Sequence, residues 1–237
     1  MLKIFGFVGM FFSLLLFGQN SIEHQQLVWY GYNLNLETKN QISIKQEIEN
    51  RSFLSPWRQN ILLSTTQVEK NLGSNWKAAA GFTYFLQTIH PPNSHSVNRT
   101  ELRPQFSFSY KQILHENWQL NHRYQGELRW IENNLNDIAL TALRLRYRIQ
   151  LQHQLSEKLK LKLFEEIHIN TFKNSSLAIF DQNRAGIAFQ YSLMPSLDLE
   201  LGYLNWYQQR NIMGEFYDRN ILRFTIYHQI DLGSKAE

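Results

Sequence analysis

The sequence predicts an all-β fold, a transmembrane antiparallel up-and-down β-barrel of about twelve strands, and three observations support this prediction. First, apolar and polar side chains alternate from Thr141 to Leu155, which is typical of a strand whose two faces meet different media. Second, this segment exceeds the ~5 to 6 residues of a soluble strand and reaches the ~9 to 11 that cross a bilayer. Third, short connections alternate with longer ones along the chain, as in bacterial outer-membrane barrels.

The N-terminus has the pattern of a secretory signal peptide. Lys3 precedes an apolar run from Ile4 to Phe17, and the chain turns polar at Gly18. This run is shorter than the ~18 residues of a membrane-spanning helix, and no basic flank follows it. We therefore predict a cleaved signal peptide over residues 1–20 and a single barrel domain over residues 21–237. The expected location is the outer membrane of a Gram-negative bacterium.

Composition excludes several classes of function. The chain contains no cysteine, so it has no disulfide scaffold, thiol nucleophile or cysteine metal site. Its net charge is +4, but basic residues stand beside acidic ones rather than in a run, and we expect no nucleic-acid partner. The mean hydropathy of −0.41 is uninformative, because an alternating barrel strand hides half of its residues from lipid.

Alternation marks eleven segments, in order along the chain. They lie at residues 27–36, 41–51, 59–69, 76–88, 101–111, 118–131, 141–154, 159–171, 183–193, 197–208 and 219–232. Short connections such as Glu37 to Asn40 predict periplasmic turns, and longer ones such as Ile89 to Asn98 predict external loops. Bacterial barrels usually have an even number of strands, so we expect twelve, within a range of ten to twelve. Ser21 to Gln26 could help to form a twelfth strand, the N-terminus could thread the lumen, or segment 27–36 could lie outside a ten-stranded closure.

Aromatic placement separates a membrane barrel from a soluble lipocalin-like binding barrel. Trp76 and Trp118 open strands after short turns, while Tyr84, Trp130 and Tyr207 lie near the opposite ends on the same apolar faces. The twelve positions from Trp118 to Trp130 span a height of roughly 30 Å in a tilted strand. We therefore predict two aromatic girdles one bilayer apart. The expected partners are outer-membrane lipid and lipopolysaccharide, and the barrel-assembly machinery during insertion.

Several short motifs carry a resemblance to a known family. They are Trp29-Tyr30-Gly31-Tyr32-Asn33-Leu34, Phe180 to Arg184, Leu199 to Tyr203, Asn75-Trp76 and Asn117-Trp118. Together they resemble an uncharacterised family of outer-membrane barrels common in Bacteroidota, the domain of unknown function 2490 family, over essentially the whole mature chain. The resemblance implies an outer-membrane location and no established activity, so it carries over no functional residues. One departure is the end of the chain, where Gly233 to Glu237 follow the last strand although many such barrels stop on an aromatic residue.

The inward positions carry more basic than acidic residues. Counting residues outward from each predicted turn gives the cross-strand partners and so predicts which charges lie side by side. It sets Arg103 beside Glu127, Glu127 beside Arg146, and Arg146 beside Glu166, as one row across four strands. Charges inside a narrow barrel must be either paired or hydrated. This lumen charge row is the first candidate site.

A basic wall is the second candidate site, and it keeps two functions open. Its members are Arg144, Arg148, Lys160 and Lys162, together with Arg146 of the row. If water fills the lumen, the wall predicts a narrow, porin-like channel that favours anionic small solutes. If the charges interlock, the barrel is closed and serves as a structural or docking protein.

An outer-membrane lipid-modifying enzyme of the lipase or deacylase type is a further alternative. Such chemistry needs a serine and a histidine within hydrogen-bond reach. His122, His153 and His228 have outward parity, whereas Ser107 and Ser109 point inward. We therefore expect no enzyme. The sequence has no phosphate loop, dinucleotide fingerprint or metal-ligand spacing, and we expect neither cofactor nor metal.

Overall fold

The protein forms a closed all-β barrel. The computed structural model describes residues 21–38, 41–91, 95–132, 137–173, 178–210 and 212–232, and the predicted signal peptide lies outside them. Within this part of the chain, eleven strands close into one barrel in which each strand pairs with its neighbours in sequence and the first pairs with the last. No helix in the same residues is long and apolar enough to span a membrane.

The strands are long, as the alternation predicts. They are β1 (Ser21–Glu37), β2 (Ile42–Phe53), β3 (Arg58–Gly73), β4 (Trp76–Ile89), β5 (Val97–His115), β6 (Trp118–Glu132), β7 (Ile138–Gln154), β8 (Leu159–Lys173), β9 (Phe180–Met194), β10 (Leu197–Gln209) and β11 (Glu215–Asp231). With 12 to 19 residues each, tilted strands give a wall about 30 to 45 Å high.

The described chain closes with eleven strands, which lies within the expected range of ten to twelve and is one fewer than the favoured count of twelve. Ser21 to Gln26 extend the first strand instead of forming another one. β1 and β11 run parallel, with Ser21 opposite Glu215 and Glu37 opposite Asp231. The other ten pairs are antiparallel. An odd number of strands leaves the first and last strands pointing the same way, so only parallel pairing can close the barrel.

Connections divide the barrel into two rims. The turns after β1, β3, β5, β7 and β9 are short and define the turn end, whereas the other connections and the start of β1 define the loop end. In the β3–β4 turn, Ser74 and Asn75 have φ values of 48° and 67°. Positive φ at both central residues is the conformation that follows the twist of a two-residue hairpin.

Side chains sort by parity, as the sequence predicts. On β7 the Arg144 side chain faces the lumen and is 4% exposed, while the neighbouring Leu145 faces outward and is 44% exposed. The outer surface is apolar on every side of the barrel. Each of the eleven strands contributes exposed apolar side chains to it, for example Tyr30, Ile48, Val68, Phe82, Phe106, Tyr124, Leu145, Leu163, Phe189, Leu201 and Phe224.

An apolar cluster lies inside the lumen, and most of its members are in the half nearer the loop end. Its members are Leu27, Trp29, Ile61, Leu63, Phe85, Phe164, Leu204, Trp206 and Ile221, with Phe53 packed against them. This cluster was not expected, because the alternation places the apolar side chains of each strand on the outer face. It arises where both faces of a strand carry large apolar residues, as in β1 from Leu27 to Tyr30.

Candidate functional site

The lumen is the candidate site, and buried charges lie at its centre. Arg146 of β7 lies between two carboxylates, with Nη1 2.5 Å from Glu127 Oε1 on β6 and Nη2 2.8 Å from Glu166 Oε1 on β8. The two glutamates are 1% and 2% exposed. A carboxylate so far from water must keep ionic partners or lose its charge, so these contacts hold three neighbouring strands together from the inside.

The pairs extend into a continuous ion-pair network towards the loop end. Arg144 contacts Glu127 and places Nη1 2.9 Å from Asp181 Oδ2 on β9. Glu101 of β5 accepts hydrogen bonds from Arg103 (2.8 Å) and from Arg129 (2.5 Å), and Arg129 lies 3.9 Å from Asp181. The network therefore runs across β5 to β9 without a break.

Part of the predicted charge row occurs at a different register. Arg146 does bridge Glu127 and Glu166, but it does so diagonally, because the residue directly opposite Glu127 is Arg144 and the one opposite Arg146 is His168. Arg103 does not pair with Glu127 as predicted, because Gln105 occupies that position. Each predicted hairpin pairing is off by two residues, a shift that leaves side-chain parity unchanged. Long arginine side chains still reach a carboxylate two positions away.

Guanidinium groups join the ion-pair network to the apolar cluster. Trp29 and Trp206 meet edge to face with ring centroids 5.7 Å apart. The guanidinium of Arg51 lies 3.8 Å from the Trp29 ring centroid, and that of Arg184 lies 4.7 Å from Trp206. Such contacts attract each guanidinium group to the face of the ring. We call the ion-pair network and the apolar cluster together the plug.

A polar bridge of buried groups crosses the plug, and neither Gln182 in this bridge nor the neighbouring Asp181 was predicted as a site residue. The indole Nε1 of Trp206 donates to Gln182 Oε1 (3.0 Å), and Gln182 Nε2 donates to His168 Nδ1 (3.0 Å). His168 Nε2 is 3.3 Å from Glu166 Oε2. Asp181 and Gln182 fall in a predicted loop between segments 159–171 and 183–193, because the residues before Asn183 lack regular alternation. Only the acidic and amide residues next to the predicted start of β9 hinted at an inward role.

A wide polar vestibule occupies the turn end of the lumen. It consists of two adjoining cavities of about 740 and 490 Å³ that share lining residues such as Arg148 and Tyr227. Most of its cations have partners: Lys45 and Lys77 contact Glu69 at 2.7 and 3.0 Å. A separate cavity of about 400 Å³ opens at the loop end, and the plug lies between the two openings.

The predicted basic wall is not uniform. Arg144 is buried in the plug, and Lys162 Nζ is 2.6 Å from Glu200 Oε2, which also contacts Arg223. Lys160 is half-buried near the turn end, opposite Gln154 and Gln190. Arg148 donates to Gln150 Oε1 (2.8 Å) and lies 4.1 Å from the Phe164 ring centroid. Among the described residues, no carboxylate lies within ion-pair distance of Arg148.

The predicted girdle residues all lie on the outer face. Trp76 and Trp118 flank the turn end, where Trp76 packs on Tyr110 at a centroid distance of 4.8 Å. Tyr84 and Trp130 lie nearer the loop end. Tyr207 is half-buried there and stacks on Phe216 at 4.7 Å.

The outward histidines contact aromatic residues and backbone groups. His122 Nδ1 is 2.9 Å from the Tyr147 hydroxyl, His153 stacks on Trp118 with centroids 4.0 Å apart, and His228 Nδ1 is 2.9 Å from the Tyr32 hydroxyl. Ser107 and Ser109 lie on inward positions of β5. The residues that the structure describes contain no group of three or more side chains able to hold a metal ion.

Comparison with known proteins gives a family and a partial likeness to a solved structure. The family model described as "Protein of unknown function (DUF2490)" matches residues 26–215. No curated protein matches the sequence. Among solved structures, the one described as "NanC porin structure in rhombohedral crystal form" is 11% identical with a TM-score of 0.48, and the match covers 86% of this chain and 99% of that chain.

Proposed function

The chain belongs to the DUF2490 family of proteins of unknown function, and on that premise we propose that it is an outer-membrane barrel closed by its own side chains. Its role is structural or docking, carried by the outer face and the loops. Lipid and lipopolysaccharide surround it in this proposal, and the barrel-assembly machinery inserts it. The proposal includes no catalytic role.

The apolar outer face supports the membrane location. Side chains such as Phe106 and Tyr203 are 53% and 47% exposed, and similar residues surround the barrel. Soluble monomers rarely expose contiguous apolar patches larger than a few hundred Å². A lipocalin-like barrel would have the reverse polarity, with an apolar interior for its ligand and a polar exterior. Lipid is the solvent that suits this exterior.

The burial of the central carboxylates is the single observation that carries the closed state. Glu127 of β6 and Glu166 of β8 line the lumen on either side of β7 yet are almost inaccessible, and His168 beside them is fully buried. In an open, hydrated pore the lining charges would contact water. Between the vestibule and the loop-end cavity, the lumen keeps a space of only about 120 Å³, lined mainly by charged side chains.

Planar-bilayer recording on the purified protein tests the closed state. We expect no unitary current through the wild type and a current through the double variant Trp29→Ala/Trp206→Ala, which removes the aromatic centre of the plug. The matched control is Tyr30→Ala/Tyr203→Ala, which truncates outward aromatics on the same two strands. Current through the wild type would overturn the closed state, and recovery of the protein in a soluble cell fraction would overturn the membrane location.

A narrow channel for anionic solutes is the second candidate, because the turn-end vestibule has a basic excess. Seven basic side chains and four carboxylates line its two cavities. The positive electrostatic potential of this basic excess would raise the local concentration of anions. Anion-selective current through the wild type is the result that favours this candidate over the closed barrel.

A further inference from the structure

Two arginines lie side by side on neighbouring strands in the turn-end vestibule. Arg123 on β6 and Arg148 on β7 are direct cross-strand partners, and both line the two cavities of the vestibule. Like charges directly opposite one another in a sheet destabilise it. A pair of this kind calls for a counter-charge.

The protein supplies little of that counter-charge. Arg123 Nη2 is 2.8 Å from Glu166 Oε1, but Glu166 also serves Arg146 at 2.8 Å and Arg184 at 3.9 Å. The Nε of Arg123 is buried without a hydrogen-bond partner. Arg148 contacts an amide and a ring rather than a carboxylate. Glu166 is thus shared by three guanidinium groups, and Arg148 lies beside them without a carboxylate in ion-pair contact among the described residues, although Glu47 also lines the vestibule.

Four other cations of the vestibule are held in ion pairs with two carboxylates. Lys45 and Lys77 share Glu69, and Lys162 and Arg223 share Glu200. Lys111 is exposed near the rim. Arg148 differs from these four cations because no carboxylate of the described residues lies within ion-pair distance of it, and the space beside Arg123 and Arg148 is large enough for a small ligand.

We propose that the turn-end vestibule binds a doubly charged oxyanion, a phosphate or phosphate monoester group, between Arg123 and Arg148. Guanidinium groups match phosphate oxygens in charge and in geometry, and a phosphate monoester carries about −1.5 to −2 at neutral pH. Gln150, Ser109 and Tyr227 line the same space and offer further donors. The ligand enters from the turn-end rim and does not need to cross the plug, so the site is independent of whether the barrel conducts.

Isothermal titration calorimetry on the full chain in detergent tests the site. Inorganic phosphate and glycerol 3-phosphate are titrated separately at constant ionic strength, with chloride as the balancing anion. We expect Arg148→Gln to weaken binding at least about tenfold, the effect of losing one charge-assisted contact. The control Arg58→Gln removes the same charge from an exposed position at the loop end and leaves the affinity unchanged.

Thermal unfolding separates binding from folding. Arg148→Gln removes one of two like charges and strips no carboxylate of an ion-pair partner, so its transition without phosphate lies no lower than that of the wild type. Phosphate raises the wild-type transition and has a smaller effect on the variant. Tighter binding of the glycerol ester than of inorganic phosphate identifies a headgroup-derived ligand. Binding of neither compound, or equal affinity in wild type and Arg148→Gln, overturns the site.

Discussion

Glu127→Gln is the substitution that most directly probes the interior. Glu127 accepts from Arg144 and Arg146 and from Gln125 Nε2 (2.8 Å). Removing one member of a buried ion pair costs about 3 to 5 kcal/mol, because the other charge is left without compensation. Here Arg144 keeps Asp181 at 2.9 Å and Arg146 keeps Glu166 at 2.8 Å. We therefore expect the lower end of that range, about 3 kcal/mol of lost stability.

Reversible urea unfolding in lipid vesicles, followed by the fluorescence of the six tryptophans, measures this loss. Glutamine has nearly the shape of glutamate, so the change in charge dominates the result. The control is Glu116→Gln in the exposed β5–β6 turn, for which we expect a change within about 0.5 kcal/mol. A loss below about 1 kcal/mol at Glu127 would match a hydrated surface pair and would refute the dry, closed interior.

Two further predictions concern the barrel wall. The pair Tyr32→Cys/Ile226→Cys, placed at opposite positions of the β1–β11 seam in a chain without cysteine, should cross-link on mild oxidation, as gel mobility would show. The offset pair Tyr32→Cys/Leu222→Cys should not cross-link, and the reverse pattern would contradict the parallel register. Gly81→Ala should destabilise the barrel by about 1 to 3 kcal/mol in urea unfolding, because its Cβ would lie 2.3 Å from the Thr66 carbonyl oxygen. An unchanged midpoint would mean that this backbone contact relaxes freely.

Strand positions and faces were predictable because alternation reports them directly. The predicted segments 76–88 and 159–171 correspond to β4 at Trp76–Ile89 and β8 at Leu159–Lys173. The first strand was placed too late, at 27–36, because Ser21 to Gln26 carry mostly polar residues on both faces. Those residues nevertheless pair with β11, and this pairing fixes the strand count at eleven.

Register and long-range partners were not predictable from the sequence. A shift of two residues keeps every side chain on its face, so alternation cannot choose between Arg144 and Arg146 as the neighbour of Glu127. Register irregularities beside Arg129 and Arg144 change the pairing locally. The contact between Trp29 and Trp206 joins β1 to β10, strands that do not pair with each other. No local pattern encodes it.

The parallel seam has a consequence for how the chain assembles. Each antiparallel neighbour follows its partner through a direct connection, but the seam joins residues 194 positions apart, such as Gln25 and Arg219. Closing a loop of that length costs about 3 kcal/mol more in chain entropy than closing a four-residue turn. The ten hairpin contacts are therefore kinetically favoured to form before the last one. Until that step, the first and last strands are edge strands with unpaired amide and carbonyl groups, and such groups are not tolerated in hydrocarbon. The pairing of β1 with β11 must therefore form before or while the barrel enters the lipid.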